Sequence, residues 1–227
     1  MKILALDSSG IVASVAVVED DTLLAEYTVN YKKTHSQTLL PMLDEIVKMT
    51  ELELESVDAI AVAAGPGSFT GLRIGSATAK GLGLALKKPL VAVPTVDALA
   101  YNLYDAQGLI CPIMDARRKQ VYTGIYRFEE HQLMTLKEQW AAPIEELLEE
   151  LADNGLDGVE VWHPNHSQDE TERLRAFAEE KGLLMTGGSD FHGMYTRYVR
   201  PLGSTAAPDE CLQALLAYKD KRRKKNA

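Results

Sequence analysis

The chain has 227 residues, of which 46% are hydrophobic and 25% are charged, and its formal net charge is −9. This is the composition of an ordinary globular protein, so it excludes a collagen-like, coiled-coil or largely disordered chain. The acidic balance argues against a general nucleic-acid-binding protein, because phosphate contacts need clustered cations. No apolar stretch approaches the ~20 residues of a membrane span, and Cys111 and Cys211 show no CxxC spacing. We therefore expect a cytoplasmic α/β protein with reduced thiols and no membrane association.

Hydrophobic spacing predicts alternating strands and helices along the first 127 residues. Short apolar or alternating runs are typical of strands, whereas Leu39, Leu43 and Ile46 recur at the spacing of one helix face. The predicted elements are strands over 2–7, 12–18 and 23–29, a helix over 36–49, a strand over 59–64, a helix over 71–86, a strand over 90–93, a helix from residue 95, and strands over 109–114 and 120–127.

The second part of the chain is richer in charged helices. Its predicted elements are a helix over 144–152, a strand over 158–162, a helix over 167–181, a strand over 183–186 and a helix from 208 to about 221. The middle three form a β-α-β unit. Since small apolar residues give way to charged helices near residue 130, we predict two lobes, 1–130 and 131–227, the second ending in a basic helix.

Two loops carry the residues that a phosphate site would need. Asp7, Ser8 and Ser9 end the first strand, where a carboxylate, hydroxyls and backbone N–H groups could hold a phosphate and its metal. An ordinary hairpin turn is the alternative. Asp115 precedes three consecutive cations, 117–119, which could serve a phosphate or tRNA or could form a solvated hairpin loop.

A stripe of small residues runs along the predicted 71–86 helix. Gly71, Gly75, Ala79 and Gly83 are spaced four apart, and each interior glycine costs about 0.5–1 kcal/mol relative to alanine. Close packing must offset that loss. The stripe either packs on its own sheet or contacts a helix of another subunit.

Taken together, several segments resemble one known family. They are Asp7-Ser8-Ser9, KTHS at 33–36, GPGSFTGLRIG at 65–75, AKGL at 79–82 and DARRKQVYTGIY at 115–126. These blocks are similar to those of the bacterial TsaB family, the tRNA threonylcarbamoyladenosine biosynthesis proteins, over residues 1 to about 127. The resemblance implies a two-lobed fold of the actin/heat-shock-chaperone ATPase type, related to sugar kinases.

The resemblance also implies a role and partners. A member of this family is a non-catalytic scaffold and activator that pairs with its catalytic relative TsaD, alongside the ATPase TsaE. The complex installs a threonylcarbamoyl group on an adenosine beside the tRNA anticodon, so tRNA is reached only through the complex. ATP or ADP and metal then belong to the partner subunits. The catalytic relative binds metal through paired histidines, whereas here only His35 stands in that region, and no catalytic residue is expected.

We accordingly expect the two N-terminal helices to form the partner interface, and we expect a homodimer when the partner is missing. The interface residues predicted are Leu39, Leu43 and Ile46 on the first helix and Gly71, Gly75, Ala79 and Gly83 on the second.

Residues 155–193 resemble a different family, the C-terminal part of a PHP-family metal-dependent phosphoesterase. That resemblance implies metal ligands at His166 (or His163), Asp190 and His192. The opening HxH signature and the middle ligands of that family have no counterpart here, so a trinuclear site is not expected. A single Zn²⁺ or Mn²⁺ ion, and with it a phosphoesterase activity, is the alternative hypothesis. A small-molecule kinase of the same superfold is a third.

Overall fold

The computed structural model describes residues 1–31, 33–193 and 200–225. It divides into two compact units, Met1–Ile144 and Glu145–Ala227. The predicted boundary near residue 130 lies inside the first unit, because a strand at Gln132–Pro143, which the sequence pattern does not predict, pairs with the strand before it. In the described part of the chain, no helix has the length and apolar character needed to cross a membrane.

The first unit contains a five-stranded sheet in the order β3-β2-β1-β4-β5. Its strands are β1 (Lys2–Asp7), β2 (Ala13–Glu19), β3 (Thr22–Val29), β4 (Ala59–Gly65) and β5 (Leu90–Pro94). The first three form an antiparallel meander, whereas β4 and β5 run parallel to β1. Helices α1 (His35–Thr50) and α2 (Phe69–Leu86) supply the two crossovers. This topology confirms the α/β, actin-like ATPase fold class predicted from the sequence.

The core of this sheet follows from the two periodicities that the sequence displays. Alternate residues of β1 and β2 are buried, and they pack on the apolar face of α1. Full burial of one such aliphatic side chain contributes roughly 1.5–3 kcal/mol. Deeply buried members include Leu4, Leu6, Val15, Val17, Leu39 and Ile60.

Each crossover helix starts at a side-chain cap. Thr34 and Gln37 form a capping box at the start of α1, so two backbone groups that lack helical partners are satisfied. The Ser68 hydroxyl accepts a hydrogen bond of 3.3 Å from the Gly71 N–H. That cap places the start of α2 at Phe69, one half-turn before the predicted start at residue 71.

A second, three-stranded sheet completes the first unit. It has the order β6-β7-β8, with β6 (Ile113–Arg117), β7 (Gln120–Glu129) and β8 (Gln132–Pro143), and the short helix α3 (Thr95–Ala100) packs against β7. Tyr126 is fully buried here, and its hydroxyl donates a 2.6 Å hydrogen bond to the Asp97 carboxylate. Burial, together with that hydrogen bond, raises the pKa of Tyr126, so the phenol remains a donor.

The second unit contains the predicted β-α-β arrangement. Its elements are α4 (Ile144–Asp153), β9 (Gly158–Trp162), α5 (Gln168–Lys181), β10 (Leu184–Gly187) and α6 (Asp209–Lys225). Strands β9 and β10 are parallel neighbours. Leu147, Val161 and Ala178 are its most buried apolar residues.

Candidate functional site

The turn between β1 and β2, residues 7–10, is the first predicted phosphate loop, and its polar groups are bonded within the chain. The Ser9 N–H donates to the Asp7 carboxylate at 2.7 Å. The buried Ser8 hydroxyl donates to the Gly71 carbonyl at 2.8 Å. The loop is therefore an ordered turn whose hydroxyl and carboxylate already have partners.

The start of α2 lies directly against this turn. The Ser68 N–H donates to the Ser9 carbonyl at 2.6 Å. A Cβ atom on Gly67 would lie 2.5 Å from the Ser9 oxygen, and one on Gly71 would overlap the Ser8 oxygen. These glycines thus admit the backbone of the chain's own turn. The N–H groups of Ser9 and Ser68 thus have partners within the chain, and phosphate or nucleotide binding at this turn stays a prediction.

His35, the first residue of α1, also forms a hydrogen bond with this turn. Its Nε2 donates to the Gly10 carbonyl at 3.0 Å, and its Cδ2 lies 3.2 Å from the position of a Cβ on Gly71. Within residues 1–31, 33–193 and 200–225, no group of three His, Cys, Asp or Glu side chains is arranged to hold a metal ion. One engaged imidazole does not fit the paired-histidine metal centre implied for the catalytic relative.

The predicted interface residues of α1 are not available to a partner. Leu39, Leu43 and Ile46 are only 1%, 4% and 4% exposed, because they pack against the first sheet of the chain itself. The prediction that these side chains contact another subunit is wrong. Regular apolar spacing identified the side of α1 that faces the core.

The small-residue stripe of α2 also faces its own sheet. Gly71, Gly75, Ala79 and Gly83 are all buried. A Cβ on Gly75 would overlap the Ser8 hydroxyl, and one on Gly83 would lie 2.8 Å from a methyl carbon of Leu90. The stripe therefore allows close helix-on-sheet packing, and its assignment to a partner interface is wrong.

Other residues of the same helices face outward, and we call them the outer helix face. They are Leu40 on α1 and Phe69, Ala77, Gly81 and Leu84 on α2. Leu84 is 83% exposed, and no atom lies within 4 Å of the position that a Cβ on Gly81 would take. The sequence signal that could have revealed this surface is the presence, in α1 and α2, of apolar residues outside the regular core spacing.

Cations border the outer helix face. The Arg73 guanidinium lies 4.3 Å from the centre of the Phe69 ring, a cation–π distance. A groove of about 550 Å³ runs between α2 and strands β4 and β5, and Arg73 and Lys80 contribute to its walls. The face thus combines apolar surface with positive charge.

The second predicted phosphate loop forms the β6–β7 hairpin. The Asp115 carboxylate accepts from the Arg117 N–H at 2.7 Å and pairs with the Arg117 guanidinium at 3.3 Å. Arg117, Arg118 and Lys119 have positive φ angles of 69°, 54° and 60° and lie in an exposed turn. Across the described residues, no hydrogen bond or ion pair joins Asp115 to the 7–10 turn, and a phosphate site that includes both loops stays a prediction.

In the second unit, Asp190 is the centre of a charged cluster. Its carboxylate lies 2.7 Å from His192 Nε2 and 3.5 Å from His163 Nε2, and it also pairs with the Arg200 guanidinium. The hydrogen bond from His192 and the nearby positive charges lower the pKa of Asp190. The carboxylate is therefore ionised and already compensated.

The structure brings two of the three weak metal candidates together, Asp190 and His192, but with His163 in place of His166. His166 lies 5.3 Å from His163, ring centre to ring centre, and its Nδ1 donates to the Val161 carbonyl at 2.9 Å. A cavity of about 460 Å³ adjoins both histidines. The described residues provide no three-ligand metal site, and the resemblance of residues 155–193 to PHP phosphoesterases stays a prediction.

Comparison with known proteins identifies relatives of this chain. The family model described as "TsaD: tRNA N6-adenosine threonylcarbamoyltransferase" matches residues 22–171. The tRNA threonylcarbamoyladenosine biosynthesis protein TsaB of Bacillus subtilis is 42% identical over 129 residues, which are 57% of this chain and 56% of the relative. The protein of the same name from Escherichia coli is 35% identical over 133 residues, 58% of this chain and 57% of the relative.

A solved structure is also similar to this chain. YeaZ from Pseudomonas aeruginosa superimposes with a TM-score of 0.56 at 31% identity, covering 63% of this chain and 67% of that protein. The chain spans about half the length of the curated relatives it matches. The resemblance stated from the sequence is confirmed for its N-terminal part.

Proposed function

The chain belongs to the family of the tRNA N6-adenosine threonylcarbamoyltransferase TsaD, and on that premise we propose that it is a non-catalytic scaffold and activator subunit in tRNA threonylcarbamoyladenosine biosynthesis. Its partner is the catalytic relative TsaD, and the ATPase TsaE acts in the same complex. The names of the Bacillus subtilis and Escherichia coli relatives support the pathway.

The observation that carries the non-catalytic role is the packing of the 7–10 turn. Ser8 and Ser9 bond to the start of α2, and His35 bonds to the turn itself. A catalytic member must leave its ligands free to bind metal and phosphate. Here the corresponding groups stabilise the chain's own fold, which supports a role by assembly.

The outer helix face supports the pairing. Large exposed apolar side chains can mark an interaction surface, and Leu84, Phe69 and Leu40 are 83%, 71% and 53% exposed. Gly81 between them leaves room for a partner's backbone. Helix-on-helix contact with a homologous subunit is the geometry that such a face fits best. We also propose that the chain self-associates when its partner is missing.

Pairing is tested with the catalytic relative of the same organism and the Leu84→Asp variant. A charge placed at an interface core residue typically costs more than about 1.4 kcal/mol, or at least about tenfold in Kd. Leu136→Asp is the matched control, because Leu136 is a 49% exposed leucine on β8. Isothermal titration calorimetry should show weaker pairing for Leu84→Asp alone. Equal Kd values for the two variants would contradict the assignment of the outer helix face.

A further inference from the structure

The end of α6 carries a concentration of positive charge that the proposed function has not used. Six of the 24 Lys and Arg residues and one of the 33 acids lie in residues 219–225, so this segment carries +5 while the remainder of the chain carries −14. A favourable interaction with the helix C-terminus needs about one or two cations. The six cations of residues 219–225 exceed that number.

The other half of α6 anchors the helix to the second unit. Cys211 is buried, and Leu215 and Tyr218 are partly buried at spacings of four and three residues, so they lie on one helix face. The Tyr218 hydroxyl donates to the Asp157 carboxylate, and the Arg222 guanidinium lies 3.9 Å from that same carboxylate. These contacts fix the last anchored turn directly before the basic end.

Three cations of the basic end are exposed and uncommitted. Lys219, Lys221 and Arg223 are exposed, and Lys219 and Arg223 lie off the face that continues from Tyr218 to Arg222. In the described part of the chain, no ion pair or hydrogen bond engages the side chain of any of the three, in contrast to Arg222. Their charges are therefore available to an external anion.

We propose that the basic end of α6, with Lys219, Lys221 and Arg223 at its centre, binds the phosphate backbone of RNA, so that this subunit contacts the tRNA substrate directly. The inference rests on the proposed function for its choice of tRNA. Electrostatic contacts of this kind need no base recognition. They would draw a polyanion to this segment of an otherwise acidic chain.

The distribution of apolar residues favours RNA over a membrane surface. A membrane-binding helix has apolar and basic residues along the same turns. In α6 the exposed Leu212 and Leu216 precede the cations, and residues 219–225 contain no apolar side chain. The basic end therefore offers charge without an inserting face.

The test measures binding of the full chain to a fluorescent unmodified tRNA transcript over a range of salt concentrations. Each phosphate contact contributes roughly 0.7–0.9 to the slope of log K against log salt. The triple variant Lys219→Gln, Lys221→Gln, Arg223→Gln should lower that slope by about 2 to 3. Its affinity at low salt should fall by at least about tenfold.

The matched control removes the same charge elsewhere. The triple variant Lys87→Gln, Arg118→Gln, Lys119→Gln changes three exposed cations of the first unit and should leave the slope unchanged. A fall in slope for the control alone would place the contact at these cations of the first unit and overturn the proposal. Unchanged thermal unfolding of both triple variants verifies that the fold is intact.

Two further outcomes separate the proposal from alternatives. Binding of the parent chain, but not of the α6 variant, to vesicles of phosphatidylserine and phosphatidylcholine without any tRNA binding would contradict the RNA assignment. If tRNA binding depends on α6 while the catalytic relative neither pairs with the chain nor is activated by it, the proposed function fails and the RNA contact stands. If activation is normal and the α6 variant binds tRNA as the parent does, the RNA contact fails and the proposed function stands.

Discussion

Placing alanine at two glycines of α2 should change the stability of the protein in opposite directions. Gly75 and Gly81 both lie in the interior of this helix, so the intrinsic gain from replacing glycine is the same at both sites, about 0.5–1 kcal/mol. Their surroundings differ. A Cβ on Gly75 would overlap the Ser8 hydroxyl, whereas a Cβ on Gly81 has no neighbour within 4 Å.

The magnitudes follow from these surroundings. Gly81→Ala should raise the free energy of unfolding by about 0.5–1 kcal/mol. Gly75→Ala introduces overpacking, which costs about 1–3 kcal/mol, so its net effect should be a loss of roughly 0.5–2 kcal/mol. For a chain of this size, about 1 kcal/mol corresponds to about 2–4 °C in Tm.

The assay is urea unfolding followed by tryptophan fluorescence and circular dichroism, with thermal scans in parallel. Ser8→Ala provides the internal control, because the Ser8 Cβ lies 3.8 Å from the position of the new methyl group, an ordinary contact distance. In the Ser8→Ala background, the penalty of Gly75→Ala should largely disappear. A stabilising effect of Gly75→Ala in the parent, or an equal penalty in both backgrounds, would refute the packing of the stripe on the chain's own turn.

Two further predictions concern buried or charged hydrogen bonds. The Asp190 carboxyl should titrate below its ordinary pKa of 3.8, so its stabilising effect is complete above that pH and is lost as the pH falls through the lowered value. His192→Ala should move the carbon-13 titration midpoint of Asp190 upward, and an unchanged midpoint would contradict the cluster. Tyr126→Phe should lower the free energy of unfolding by about 1.5–3 kcal/mol, because Asp97 loses its donor. Tyr122→Phe, the control in the same strand, should change the free energy of unfolding by less than about 0.5 kcal/mol. Equal effects of Tyr126→Phe and Tyr122→Phe would contradict the prediction.

The strands and helices of the first unit could be predicted well from the sequence because their periodicities are strong. Alternation in β1 and β2 and the apolar face of α1 correspond to the buried residues observed. Strand β8 escapes prediction because most of its residues are exposed, so it lacks the alternation by which a strand is recognised. Without β8, the predicted boundary between the units falls too early in the chain.

The candidate site shows where pattern reasoning fails. Regular spacing correctly places Leu39 and Gly75 on helix faces that make close contacts. It cannot distinguish contact with the chain's own sheet from contact with a partner. That distinction depends on how deeply α2 lies against the 7–10 turn, which is a tertiary fact. Similarly, the spacing of His166 and His192 does not reveal that His163 takes the place beside Asp190.

Reconstitution on an unmodified tRNA transcript tests the central claim most directly. The chain, the catalytic relative and the ATPase are combined in all subsets with ATP and an activated threonylcarbamoyl donor, and the modified nucleoside is measured by mass spectrometry. We expect no product from the chain alone, little from the mixture that lacks it, and full modification only when all three are present. Product formed by the chain alone, or full modification in its absence, would contradict a scaffold that acts through its catalytic relative.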